Sequence, residues 1–138
     1  MQSTIYSLCS SVTHQPTGID IVFGTTKIHE YKIGSKVWTW KIPKRYQVNK
    51  AILKDEDNNI YANFDDNPLY LWSYSQPIKK VVGWSELSDH LYTSKIKPKA
   101  IPWYFKFYDK TWGFCIEYEK FQKMPRNKKY YIEIDCEF

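Results

Sequence analysis

Glycine is scarce in this 138-residue chain, with only five spread along it. No GxGxxG or other phosphate-cradling loop can be assembled from them. Long apolar runs are also missing, which excludes a membrane-spanning helix. The opening "MQSTIYSLCSS" has neither a basic start nor an extended apolar stretch, so no signal peptide is expected. The GxSxG nucleophile elbow and the HExxH zinc motif do not occur.

Histidine and cysteine number three each. His14, His29 and His90 fall in a predicted loop, strand and short helix, and none has a second ligand at the spacing zinc sites use. Cys9, Cys115 and Cys136 are odd in number and form no CxxC pair. They read as reduced thiols of a cytoplasmic protein. No catalytic or metal-binding residue is therefore assigned from the motifs alone.

Aromatic residues are abundant: six Trp, twelve Tyr and seven Phe make 18% of the chain. Such residues favour strands and also build binding surfaces. Six tryptophans are hard to bury in so small a domain, so some should stand exposed, to stack on sugar rings or line an interface. The net charge of +5 comes mainly from dispersed lysines. Acidic clusters "KDEDNN" and "NFDDNP" and basic clusters "KIKPK" and "PRNKK" read as solvated loops. Nucleic acid is not an expected partner.

Period-two alternation dominates. In "KYYIEIDCEF" Tyr130, Ile132, Ile134, Cys136 and Phe138 share one face, the pattern of a strand with one dry side. "TWGFCIEY" places Trp112, Phe114, Ile116 and Tyr118 on one side, with Gly113 and Cys115 opposite, where small residues permit close contact. "YQVNKAILKD" and "NIYANF" form a predicted hairpin across "EDNN". "KVWTWKI", "LYLWSYS" and "WYFKFY" complete six or seven short, mostly antiparallel strands. Two or three short helices are expected: "STIYSLCSSV", "WSELSDHLY" capped by Ser85, and "EYEKFQKM". The expected fold is α+β, predominantly β. It is a single domain over 1–138, less regular over 1–26 and β-rich over 27–138.

Cys115 sits in a strand without an evident activating base, so it reads as a structural thiol rather than a nucleophile. The pairs Asp55/Asp57 and Asp65/Asp66 lie in Asn-rich stretches between strands and read as turns rather than acid–base pairs.

Several stretches, in order, resemble one family: "IHEYKIGSKVWTWKIPKRYQVNKAILKD", "LWSYSQPI", "SELSDHLYT", "YDKTWGFC" and "IEIDCEF". They are similar to the N-terminal and inserted region of bacterial aminopeptidase-like proteins of the zinc-peptidase kind. The resemblance covers roughly 27–138; the segment "SSVTHQPTGIDIVFG" departs from it. It implies hydrolase activity in longer relatives, whose zinc ligands and catalytic carboxylate lie downstream of the segment matching "IDCEF". For this chain it implies a non-catalytic accessory domain without a cofactor of its own, serving a catalytic peptidase domain or pairing with a second copy. The alternative is a stand-alone aromatic-rich module for carbohydrate, peptide or a partner protein. The residues carrying the resemblance are the candidate binding positions: Trp112, Gly113, Phe114, His90, Ser73, Tyr74 and Ser75.

Overall fold

The computed structural model describes residues 32–41, 46–106 and 109–138. The chain divides into two compact units, one of residues 1–47 with 137–138, the other of 48–136. In the first, strands β1 (Lys36–Val37) and β2 (Trp40–Lys41) pair antiparallel as a tight hairpin. "KVWTWKI" is thus two strands rather than one. The break is at Trp38, whose φ of 57° belongs to a turn and not to extended chain.

The second unit is organised on a four-stranded sheet in the order β4-β3-β8-β5. Strand β3 (Gln47–Asp55) and β4 (Ile60–Asn63) form the predicted hairpin, with a bulge between Leu53 and Lys54. Its turn holds Asn58 at φ 65°, a left-handed conformation that asparagine tolerates well. Strand β5 (Ile78–Val82) pairs antiparallel with β8 (Tyr130–Glu137), Ile78 opposite Ile134 and Val82 opposite Tyr130.

Alternation in β8 is as the sequence implies: Tyr130, Ile132, Ile134 and Cys136 are buried and their neighbours are not, although Phe138 beyond the strand is exposed. In β3 the buried parity is Ala51, Leu53 and Asp55. These share the core with Leu87, Phe114, Ile116 and Met124.

Two short helices lie in this unit, α1 (Trp84–Ser88) and α2 (Tyr118–Lys123). Ser85 does not cap α1: Gly83 is the N-cap, its carbonyl taking the Leu87 N–H at 3.0 Å. Because β5 ends at Val82 and the chain turns at once, Ser85 falls inside the first turn, and its carbonyl accepts the Ser88 hydroxyl. The third expected helix lies outside the described residues.

Three other expected strands are much reduced. "LYLWSYS" opens with a 3-10 turn, Pro68–Tyr70, capped by the Asn67 side chain. It then makes only single bridges at Leu71 and Ser73, since Tyr74 at φ 67° ends the extended path. "WYFKFY" contributes one bridge at Phe105. "TWGFCIEY" keeps two residues, β7 (Phe114–Cys115), paired in parallel with β6 (Leu91–Tyr92). Trp112 to Ile116 are all buried there, so the side carrying Gly113 and Cys115 is packed as closely as the other. The described residues are predominantly β, with eight strands, four of them only two residues long.

Candidate functional site

Trp72 is the centre of the region that the candidate residues form. Its ring is buried because the chain runs past it on several sides. The Trp72 N–H donates to the Gly113 carbonyl at 3.1 Å, and its indole Nε1 donates to the Phe114 carbonyl at 2.8 Å. Gly113 is required at this crossing. A Cβ there would stand 2.3 Å from two ring atoms of Trp72, well inside contact distance.

His90 lies in the turn after α1, not within the helix, because Asp89 closes that helix. Its ring stacks on Trp112, with centroids 3.9 Å apart and planes 5° apart, and its Nδ1 is 2.6 Å from the Trp112 carbonyl oxygen. The His90 carbonyl accepts the Phe114 N–H at 2.9 Å, which starts the β6–β7 pairing.

Ser73 and Ser75 serve as internal clamps. Ser75 Oγ accepts the Gly113 N–H at 3.3 Å, and the Ser75 carbonyl accepts the Cys136 thiol at 3.3 Å. Ser73 exchanges backbone bonds with the 104–106 segment, giving its N–H to Tyr104 at 3.0 Å and accepting the Lys106 N–H at 3.1 Å. Its hydroxyl accepts the Trp103 indole N–H at 3.2 Å. Tyr74, between them, is buried, and burial pushes its phenol up to about 12.

The seven sequence-derived positions thus come together in one packed region. His90 Nδ1 meets a backbone carbonyl, Ser75 Oγ takes a backbone N–H, and the Ser73 hydroxyl takes the Trp103 indole N–H. Burial pushes the Cys115 thiol up to about 12, against a smaller opposing effect of a backbone hydrogen bond from Tyr104. A thiol so disposed is a poor nucleophile and a poor ligand.

No three His, Cys, Asp or Glu side chains cluster as a metal site among the described residues. The zinc that the resemblance implies for longer relatives does not fit this region. His90 is stacked with Nδ1 on a carbonyl, and Cys115 and Cys136 are buried apart from any carboxylate cluster.

The second polar centre is Asp55, at the inward-facing end of β3. Its carboxylate accepts four hydrogen bonds: backbone N–H groups of Asp57 (2.9 Å) and Asn59 (3.0 Å), the Asn59 amide (3.0 Å) and the Tyr61 hydroxyl (2.9 Å). Burial alone would push its pKa up, but the bonds from Asn59, Tyr61 and Asp57 outweigh it and hold the carboxyl at about 2. This agrees with the turn expected there, as does Asp65, whose N–H caps onto Asn63 Oδ1 at 3.1 Å.

Sequence reasoning passed over Trp72 as the organising residue and Trp103 as an exposed one. Trp103 is 51% exposed and stacks on Phe105 at 4.7 Å. The available signal was a Trp following a lysine-rich loop and a proline in "KIKPKAIPWYF".

The domain of unknown function DUF2172 matches residues 45–137, the span holding both the sheet and the Trp72 region. The chain belongs to the DUF2172 family. A Clostridium acetobutylicum protein, provisionally named a polysaccharide biosynthesis protein with aminopeptidase-like domain, is 29% identical over 124 residues. The alignment takes in 87% of this chain and 29% of that protein. A crystal structure at 2.37 Å of a protein from the same organism, provisionally called a peptidase, superposes with a TM-score of 0.78 at 28% identity. It covers 89% of this chain and 29% of the other. The DUF2172 chain therefore spans less than a third of the length of these relatives. Among the described residues no helix is long and apolar enough to cross a membrane.

Proposed function

We propose that this DUF2172 domain is a non-catalytic accessory domain to an aminopeptidase-like hydrolase. It shapes substrate access or subunit contact for a catalytic peptidase domain, or for a second copy of itself. One observation carries the reading: the domain matches less than a third of aminopeptidase-like relatives, while the side chains of His90, Ser73 and Ser75 are spent on internal bonds. A region fixed in this way is suited to holding a surface in shape, not to proton or acyl transfer. The zinc-dependent step belongs in this reading to the other part of the relatives.

Assaying the purified 138-residue chain with added zinc against aminoacyl p-nitroanilides tests this. No hydrolysis above the zinc blank is expected, and robust zinc-dependent turnover would sink the reading. An immunoblot of host lysate adds the context: a band well above 16.6 kDa places the domain beside its catalytic part in one chain. A band at that mass makes the catalytic partner a separate protein, to be sought by cross-linking.

The exposed Trp103–Phe105 pair favours a second reading, a binding module for carbohydrate, peptide or a partner protein.

A further inference from the structure

Residues 93–103 leave the scaffold and return to it as a closed loop. The two ends are pinned together: the rings of Tyr92 and Tyr104 stack with centroids 4.5 Å apart. Tyr92 is fixed in β6 opposite Cys115, and the Tyr104 carbonyl holds the Ser73 N–H. Within the loop, the Ala100 N–H closes a turn onto the Lys97 carbonyl at 3.1 Å, and the Pro98 carbonyl accepts the Glu119 N–H at 3.1 Å. Pro98 and Pro102 restrict its backbone further. A compact surface loop whose ends meet on a rigid frame is a common carrier of recognition.

Its chemistry is one-sided. The eleven residues "TSKIKPKAIPW" contain three lysines and no acidic residue, in a chain whose whole net charge is +5. Lys95, Lys97 and Lys99 are exposed at alternate positions, and Ile96 between them is 92% exposed. At the end of the loop stands Trp103, with one ring face on Phe105 and its indole N–H held by Ser73 Oγ. Ser73 is itself nearly buried and bonded through its backbone to both Tyr104 and Lys106. The exposed indole is consequently fixed in orientation before any ligand arrives, and preorganisation of this kind lowers the entropy cost of binding.

We propose that loop 93–103, with the Trp103–Phe105 pair, is a binding site for an acidic glycan. The apolar face of a pyranose ring stacks on the indole of Trp103, and carboxylates of neighbouring sugar units pair with Lys95, Lys97 and Lys99. Charge complementarity selects an anionic ligand, and the single fixed ring face selects one with a flat, partly apolar ring. Nucleic acid is disfavoured because the chain's lysines are dispersed and this loop supplies only three of them, too few to track a phosphate backbone. That loop also lacks arginine, whose planar fork matches phosphate. The proposal rests on the binding-module reading and is separable from the accessory role, since binding is read on the chain alone.

Titration of the 138-residue chain with octagalacturonate, followed by tryptophan fluorescence and calorimetry, tests it. Cellohexaose serves as the neutral probe. An oligothymidylate and phosphatidylglycerol vesicles serve as the other anions. Octagalacturonate should bind saturably and more weakly as salt rises. Trp103→Ala should weaken it about tenfold or more, as expected for loss of one stacking aromatic. Trp103→Phe should retain most of the affinity and decides the matter if the alanine variant melts early. Replacing Lys95, Lys97 and Lys99 together by Gln should flatten the salt dependence. Absence of octagalacturonate binding overturns the proposal, as does binding indifferent to Trp103→Ala. Equal affinity for oligothymidylate or vesicles overturns it as well, by reducing the loop to a general anion surface. Preference for cellohexaose overturns the acidic class while leaving the binding-module reading standing.

Discussion

Gly113 and Trp72 touch so closely that no side chain fits between them: a Cβ at 113 would meet the indole at 2.3 Å. The ring cannot retreat easily, because its Nε1 is bonded to the Phe114 carbonyl and Tyr104 lies 4.7 Å from it, centroid to centroid. Gly113→Ala should therefore destabilise the domain by about 1–3 kcal/mol, the usual cost of overpacking a filled interior. Urea denaturation measures this. An unchanged midpoint would show that the ring moves at little cost.

His90 is held to Trp112 by a parallel ring stack and by its Nδ1 on the Trp112 carbonyl. Aromatic pairs contribute about 0.5–1.5 kcal/mol beyond buried area. His90→Phe should keep the stack and lose the polar contact, so it should fall between wild type and His90→Ala in thermal stability. Equal losses in the two variants would assign the whole effect to the polar contact.

Asp55 provides a pH signature. Its folded pKa, about 2, lies below the ordinary 3.8, so the ionised carboxylate is favoured in the folded state. The stability it contributes is fully present above pH 4 and is lost as pH falls toward 2. From a shift of this size the contribution is about 2 kcal/mol. Asp55→Asn should remove this part of the acid dependence, leaving a flatter curve of stability between pH 5 and pH 2. Parallel acid curves for the two proteins would contradict the assignment.

Cys115 should be chemically silent in the folded protein. The thiol is fully buried and its pKa is pushed up to about 12, so almost none is thiolate at pH 8. Peptide mapping after iodoacetamide treatment should find Cys115 unmodified in the native protein and modified in guanidinium. Rapid native labelling would reopen its candidacy as a nucleophile.

Strand β8 was legible because its alternation is strict over Tyr130, Ile132, Ile134 and Cys136, and a sheet face buries every second residue. The β3–β4 hairpin was legible too, since the Asp55–Asn59 stretch carries its own turn chemistry in side-chain oxygens a few residues from the N–H groups they bond. Around Trp72 the same pattern misled. Alternation in "TWGFCIEY" and "LYLWSYS" implied long strands, but the segments cross one another and are buried on more than one side, so bridges of one or two residues replace ladders.

Local order thus implied the β-rich class, the Asp55–Asn59 turn and close contact at the small residues Gly113 and Cys115, but not the turns at Trp38 and Tyr74. That Gly113 faces Trp72, that His90 stacks on Trp112 and that Ser73 sets the angle of Trp103 came only from the tertiary structure. Those pairs lie between 22 and 41 positions apart in sequence. Strand and turn preferences act over a few residues, whereas meetings at such distances depend on how whole segments pack.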